Sequence, residues 1–298
     1  MIKNAWILSL YSNSSYYNST SIKKALDRRN ISSSHIMVRN LYLNNNNFYY
    51  NDNHISKPDI IYSINQFFYR SDPSNIIVKR LFDIEKSGLY CTNSITSTFL
   101  ATNKWTSYSI LKDNNILTPE TVLIDRNTEY NGSISERLGV PFVVKLIMGC
   151  SGVRYKLCYS EKQLQEIFNR YYRVYNDYEI LAQQFLDSSA GMIITVGVVK
   201  DICYKAVIRI GDPCSDSAFL QDTEANRTQI AFNIDSELRQ TVDKVMDAFK
   251  LDSARIDTML YDNKYYVLEA NPPGGLNITD LMHNYNIADD IVERSLRV

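Results

Sequence analysis

Two patterns along this 298-residue chain predict an α/β protein. Strand and helix signals alternate through the first hundred residues, as is typical of a small parallel sheet. From Pro141 onward, strands separated by loops dominate, with two amphipathic helices among them. Apolar residues make up 45% of the chain and charged residues 22%, which are ordinary values for a globular protein. Disordered, collagen-like and coiled-coil classes are therefore excluded, and two lobes or two domains are expected.

In the first half of the chain, short apolar runs predict strands and amphipathic runs predict the helices between them. The predicted strands are 5–11, 34–38, 59–64, 89–91 and 121–124, and the predicted helices are 19–29, 72–86 and 103–114. Pro73 suits the first turn of its helix, and Gly88 ends that helix. The Asn tract at 44–47 is expected in a solvated loop.

The second half is predicted to hold more strands and two helices with apolar stripes. The predicted strands are 142–146, 153–158, 180–186, 193–199 and 203–210, followed by a hairpin of 254–261 and 265–270. One helix begins with the capping box Ser160 and Gln163, and the other is capped by Asp235. Their predicted buried stripes are Leu164, Ile167, Phe168, Tyr171 and Tyr172 in the first, and Leu238, Val242, Val245, Met246 and Phe249 in the second. The polar run 211–227 is long enough to be a lid or binding loop.

Charge and composition exclude several function classes. A formal net charge of -1 lacks the basic excess that nucleic-acid binders use, so no nucleic-acid partner is expected. The apolar start at 5–10 is too short to span a membrane and lacks a cleavage pattern, so we expect a cytoplasmic protein without a membrane partner. Five cysteines without a C-x-x-C pair indicate reduced thiols. Three histidines without partners at metal spacing disfavour imidazole-based hydrolysis.

Polar residues on the C-terminal hairpin form the strongest local signal. Arg255 and Asp257 lie two apart on one strand, and Glu269 and Asn271 lie two apart on the other, so each pair shares a face. The three oxygen-bearing side chains are ligands that Mg²⁺ selects, and Arg255 could neutralise an anion beside the metal. The spacing leaves open the alternative of a solvent-facing strand pair with an Arg/Glu ion pair.

A second signal places a lysine before a glycine loop. Lys145 ends an apolar strand and is followed by the loop 149–152, where Gly, Cys, Ser and Gly could bring backbone N–H groups to a phosphate. The order is not that of a Walker A motif, and no G-x-G-x-x-G follows the first strand. An ordinary turn is the alternative. Similarly, Gln183 on the strand 180–186 could face the edge of a purine, or could be only a polar strand residue.

The order and spacing of these segments resemble those of a known family. The runs are LFDIE at 81–85, CTNS at 91–94, TNKW at 102–105, LTPET at 117–121 and ARIDTMLYDNKYYVLEANPPG at 254–274. The chain resembles the ATP-grasp carboxylate–amine ligases, especially the RimK-like glutamate ligases, and its last run is equally similar to the end of D-alanine:D-alanine ligases. The likeness covers roughly residues 76–275.

This resemblance implies an ATP-grasp fold with an N-terminal Rossmann-like (pre-ATP-grasp) α/β domain. The implied domains are 1–100 (N-terminal), 101–178 (central, with the glycine-rich loop) and 179–298 (C-terminal, with the metal site). The implied cofactors are ATP and Mg²⁺, with Mn²⁺ as an alternative. The implied roles are Lys104 and Lys145 for the ATP phosphates, Cys150, Ser151 and Gly152 for the loop over them, Gln183, Gln184 and Leu186 for adenine, Asp257, Glu269 and Asn271 for the metal, and Arg255 for the transferring phosphoryl group.

The expected reaction is an ATP-dependent joining of a carboxylate to an amine through an acyl phosphate, with release of ADP and phosphate. The substrates would be amino acids or small peptides, and Arg70, Arg209 and Arg227 are candidates for gripping their carboxylates. The alternatives are an ATP-grasp kinase acting on an alcohol and an inactive nucleotide-binding module. The last is suggested by Ile193 and Thr195, which stand where the family carries an acidic residue and an arginine. A homodimer is the default assembly.

Overall fold

The computed structural model describes residues 2–9, 17–63, 76–147, 156–175, 179–187, 192–210, 228–272 and 284–297. The strands are β1 Asn4–Ser9, β2 Ser32–Met37, β3 Leu41–Asn44, β4 Asn47–Tyr50, β5 Asn53–Ile55, β6 Ile60–Ser63, β7 Cys91–Thr92, β8 Thr121–Ile124, β9 Phe142–Leu146, β10 Lys156–Cys158, β11 Ile180–Gln184, β12 Met192–Val199, β13 Cys203–Ile210, β14 Thr228–Phe232, β15 Ser253–Tyr261 and β16 Lys264–Asn271. The helices are α1 Tyr17–Asp27, α2 Ile76–Lys86, α3 Ile95–Thr102, α4 Lys104–Asp113, α5 Ser133–Leu138, α6 Glu161–Tyr175, α7 Ser236–Phe249 and α8 Ile287–Leu296. The predicted α/β class is confirmed.

The N-terminal part contains a parallel sheet in the order β2-β1-β6-β7. Buried residues of α1 and α8 contribute to one apolar cluster with this sheet, and those of α2 contribute to another. The βαβ pattern predicted from the sequence is therefore confirmed. The helix α8 also binds the segment that follows α1, because Asp289 accepts hydrogen bonds from Arg28 and Arg29.

A small antiparallel sheet, β3-β4-β5, lies between β2 and β6 in the chain and was not predicted. The Asn tract at 44–47 is exposed, as expected, but it forms a hairpin turn rather than a plain loop. Asn45 and Asn46 have φ values of 47° and 62°, and asparagine tolerates this left-handed region better than most residues.

The central sheet is antiparallel in the order β10-β9-β11-β8. The helix α6 covers it with the predicted apolar stripe: Leu164 and Phe168 are buried, and Ile167, Tyr171 and Tyr172 pack against the same cluster. The carboxylate of Glu161 accepts hydrogen bonds from the Gly132 and Ser135 N–H groups, so it satisfies backbone donors at the start of α5.

The C-terminal sheet is antiparallel in the order β14-β13-β12-β15-β16, and α7 packs on one face with all five predicted residues buried. Asp235 caps α7 as predicted, accepting from the Leu238 N–H at 2.8 Å. The same core contains Ala101, Leu111 and Ile116, so the helices α3 and α4 are anchored on the C-terminal sheet.

The side chain of Asn93 links the N-terminal part to this sheet. Asn93 is fully buried, its Oδ1 accepts from the Asp252 and Ser253 N–H groups, and its Nδ2 donates to the Ser253 carbonyl. The amide thus binds the backbone where β15 begins. Within the part of the chain that the structure describes, no helix is long and apolar enough to cross a membrane.

Candidate active site

A cleft of about 470 Å³ lies between the central and C-terminal sheets, with α4 along one side. The central sheet contributes Lys145, Leu181 and Gln183, and α4 contributes Lys104 and Tyr108. Strand β16 lines the opposite side with a run of four residues, Leu268, Glu269, Ala270 and Asn271. Two lysines and two of the three predicted oxygen ligands, Glu269 and Asn271, therefore meet in one cleft.

The β15–β16 pairing places the four predicted hairpin residues together. Asp257 is directly opposite Glu269, and Arg255 is opposite Asn271. The Asn271 amide donates to Glu269 Oε1 at 3.0 Å. Arg255 Nη2 lies 3.2 Å from Asp257 Oδ2 and 3.7 Å from Glu269 Oε1. The four side chains lie together, as the shared faces predicted. The alternative is wrong in that the pair does not face solvent, because Asp257 is only 3% and Asn271 only 6% exposed, but its Arg/Glu ion pair is present between Arg255 and Glu269.

A register shift between Asp257 and Thr258 makes Leu268 the extra residue on β16. Such a bulge re-aims the side chains that follow it. Val267 accordingly packs in the core beneath the sheet, while Leu268 and Glu269 both line the cleft.

Asp257 is held as a carboxylate by positive neighbours. Burial alone would raise its pKa, but Arg255 and Arg209 outweigh that effect and lower the pKa below its ordinary value. An ionised carboxylate is the form that a divalent cation requires.

The two lysines approach Glu269 from the other side of the cleft. Lys104 Nζ is 3.9 Å from Glu269 Oε2, and the Lys104 N–H donates to the carbonyl of Ile147, just beyond the strand that carries Lys145. Burial lowers the pKa of Lys145 to about 8, with Lys104 adding to the effect and Glu269 opposing it. A lysine in this state gains its full charge when an anion enters.

At the predicted adenine end, Gln183 lines the cleft and donates through Nε2 to the Thr121 hydroxyl at 2.9 Å. Gln184 does not line it: its amide oxygen accepts from the Glu120 N–H, and its own N–H donates to the Glu120 carbonyl. Leu186 is buried.

Glu120 joins this strand to two helices. Its carboxylate pairs with Arg137 on α5 and accepts from Tyr108 and Lys112 on α4. Burial would raise its pKa, but these partners, Arg137 first, lower it to about 2.

The candidate substrate arginines are only partly described. Arg209 is buried, with its Nη2 3.1 Å from Asp257 Oδ1 and its Nε donating to Thr195 Oγ1 at 2.7 Å. Arg70, Arg227, the loop residues Cys150, Ser151 and Gly152, and the predicted lid 211–227 lie outside the described residues. Of the cysteines, Cys91, Cys158 and Cys203 are free thiols, as expected.

The donor set fits a magnesium ion shared with a nucleotide. The described residues contain no cluster of three or more His, Cys, Asp or Glu side chains of the kind that holds a metal by protein ligands alone. The carboxylates of Asp257 and Glu269 and the side-chain amide of Asn271 lie together instead. Mg²⁺ is commonly held by one or two carboxylates together with substrate phosphates, so this open set suits it.

Several residues of the cleft were not predicted. Leu181 precedes Gln183 by two positions on the same strand, and this period would have placed both on the cleft side. Tyr108 lies four residues after Lys104 on α4, a spacing that shares a helix face. Leu268 had no such signal, because the bulge decides its direction.

The chain is similar in sequence to known proteins. A sequence profile described as a RimK-like ATP-grasp domain matches residues 101–294. A probable alpha-L-glutamate ligase of Haemophilus influenzae is 22% identical over 247 residues, covering 82% of this chain and 80% of its own.

Two solved structures share the overall fold. The ATP complex of the D-alanine–D-alanine ligase of Bacillus anthracis has a TM-score of 0.69 at 18% identity and covers 100% of this chain and 98% of its own. The ATP-grasp ligase PsnB, in complex with a phosphomimetic precursor variant, Mg and ADP, has a TM-score of 0.69 at 14% identity and covers 99% and 98%. The predicted fold is therefore confirmed.

Proposed function

Because the chain belongs to the RimK-like ATP-grasp family, we propose that it is an ADP-forming ligase that joins a carboxylate to an amine through an acyl phosphate. The observation that carries the proposal is the meeting of Lys104 and Lys145 with Glu269 and Asn271 in one cleft, with Asp257 directly opposite Glu269 on the neighbouring strand. Cations on one side and oxygen ligands on the other are what a metal–triphosphate complex needs.

The nucleotide would lie along the cleft with its phosphates between the lysines and β16. Leu181 and Leu268 offer apolar surface for the base, and the side chain of Gln183, which lines the cleft, offers polar atoms for its edge. Gln184 contributes to this proposal only through its place on β11 beside Gln183, because its side-chain oxygen accepts from the Glu120 N–H.

Phosphoryl transfer in such a site depends on positioning and on charge stabilisation. Lys104 and Lys145 would hold the phosphates, and Arg255, next to both carboxylates, would offset charge on the transferring group. Asp257, Glu269 and Asn271 would hold Mg²⁺, which supplies Lewis-acid neutralisation of the phosphate oxygens when bound.

The carboxylate substrate would attack the γ-phosphorus as its bond to the oxygen of ADP breaks and ADP leaves, and the amine would then displace phosphate from the acyl carbon and lose a proton. Water must be excluded meanwhile, because the mixed anhydride hydrolyses. Amino acids or small peptides are the proposed substrates, in line with the names of the relatives. A homodimer, a cytoplasmic location and the three domain boundaries stay predictions.

The test is a screen of amino acids and short peptides, singly and in pairs, for stimulated phosphate release from MgATP. Mass spectrometry should find a product heavier than the acid by the amine minus water, with ADP and phosphate in equal amounts. A stable phosphorylated acceptor without free phosphate would instead identify a kinase. If the wild-type protein, with Lys104 and Lys145 in place, did not bind nucleotide, the proposal would be refuted.

A further inference from the structure

Thr195 and Arg209 form a closed hydrogen-bonded triangle with Asp257. The Arg209 Nε donates to Thr195 Oγ1 at 2.7 Å, the Thr195 hydroxyl donates to Asp257 Oδ1 at 2.7 Å, and Arg209 Nη2 lies 3.1 Å from that same oxygen. The three residues lie on three neighbouring strands, β13, β12 and β15.

The direction of each hydrogen bond is fixed by chemistry. A guanidinium can only donate and an ionised carboxylate can only accept, so the threonine hydroxyl must accept from one and donate to the other. A hydroxyl is the group that fills this intermediate position, and valine, of the same shape, cannot. The side chains of Arg209 and Asp257 are 7% and 5% exposed, which keeps water from replacing the contacts.

The two carboxylate oxygens of Asp257 have different partners. Both described contacts from Thr195 and Arg209 go to Oδ1, whereas Oδ2 faces Arg255. Arg255 in turn lies beside Glu269. The triangle therefore holds Oδ1 and leaves Oδ2 on the side of Arg255 and Glu269.

From this geometry we propose that Thr195 and Arg209 are positioning residues, which orient Asp257 so that Oδ2 faces the nucleotide-bound metal. The inference rests on the proposed function of this cleft. It assigns Arg209 a role different from gripping a substrate carboxylate, and it gives Thr195 a function where the sequence suggested only a departure from the family. Groups that orient metal ligands are commonly worth roughly 10- to 100-fold in metal affinity.

Manganese binding tests the inference without knowledge of the substrates. The probe is Mn²⁺ with ADP, followed by the loss of the free-ion electron paramagnetic resonance signal as protein is added. Thr195→Val should weaken Mn²⁺·ADP binding by roughly 10- to 100-fold. Thr195→Ser, which keeps the hydroxyl, should bind nearly as tightly as the wild type. Arg209→Lys, which keeps the charge but loses the forked donors, should also weaken binding.

A matched control lies next to Asp257. Thr258 is equally buried and its hydroxyl donates to the Ile194 carbonyl, so Thr258→Val removes a buried threonine hydrogen bond outside the triangle. It should leave Mn²⁺·ADP binding unchanged. Circular dichroism melts report whether each variant is folded. If Thr195→Val does not fold, the Mn²⁺·ADP affinities of Arg209→Lys and Thr195→Ser are compared instead.

The outcomes separate the inference from the proposed function. Folded Thr195→Val and Arg209→Lys proteins that bind Mn²⁺·ADP as the wild type does would overturn the positioning role and leave the ligase proposal standing. If Thr258→Val weakened Mn²⁺·ADP binding as much as Thr195→Val does, the weakening would be a general effect of lost stability, and the positioning role would also be overturned. Absence of Mn²⁺·ADP binding by the wild type would overturn both.

Discussion

Nucleotide binding should draw a proton onto Lys145, and this prediction can be worked out in numbers. The pKa of Lys145 is lowered by burial to about 8, so about half of these side chains are neutral at pH 8 in the free protein. A polyphosphate beside Lys145 favours the charged form. Binding at pH 8 should therefore take up about 0.5 proton per nucleotide, falling to about 0.1 at pH 7 and rising to about 0.9 at pH 9.

The sign of the pH dependence follows from this uptake. Above pH 8 Lys145 must take up a proton before it can bind the phosphates as a cation, so the apparent affinity for the nucleotide falls as pH rises. Each unit above the free-protein pKa costs about 1.4 kcal/mol, or about tenfold, until the pKa of the complex is reached. Below pH 7 the charge is already present, and affinity should be flat with respect to this group.

Isothermal titration calorimetry measures the uptake directly. MgADP is titrated into protein at pH 8 in two buffers with different ionisation enthalpies, and the difference in observed heat gives the protons exchanged. Lys145→Met should abolish the uptake and weaken binding. The control Lys112→Met removes a half-exposed lysine paired with Glu120 outside the cleft, and the uptake should persist. Zero uptake by the wild type at pH 8, or equal uptake by Lys145→Met, would refute the reasoning.

Three further predictions concern the metal and the fold. Glu269→Gln should abolish Mg²⁺-dependent phosphate release while melting as the wild type does, and wild-type rates would remove Glu269 from the metal site. Asn93→Ala should lower the free energy of unfolding by about 2–4 kcal/mol in urea titrations, because two buried N–H groups and a carbonyl lose their partner; a loss below about 0.5 kcal/mol would contradict the buried link. Asp235→Ala should cost about 1–2 kcal/mol, since it uncaps α7 and removes the acceptor of Tyr265, and an unchanged urea midpoint would contradict the cap.

Much of the fold was predictable because it follows local periods. The stripes of α6 and α7 follow the helical repeat, and their predicted residues are in the cores. The segments that sequence reasoning missed, β3 to β5, α3, α5 and β14, are short or polar. Short polar segments acquire regular structure through their neighbours rather than through their own hydrophobic pattern.

The residues proposed to hold the metal were visible in the sequence for a similar reason. Arg255 and Asp257, like Glu269 and Asn271, are two apart on strands joined by a tight turn at Asp262 and Asn263, both of which have positive φ. The two-residue period puts the members of each pair on one face of their strand, and this much the sequence alone determined. The tight turn by itself would set Asp257 opposite Leu268, and it is the bulge at Leu268 that sets Asp257 opposite Glu269.

Tertiary structure decided the rest. Arg209 meets Thr195 from 14 positions away and Asp257 from 48, and Lys104 approaches Glu269 because α4 packs on the C-terminal sheet. The bulge at Leu268 depends on how two strands pair, which no single strand specifies. Contacts between distant segments come from strand order and packing, and a one-dimensional pattern carries no information about either. For this reason Arg209 read as a substrate ligand in the sequence, whereas in the folded chain it lies against Asp257.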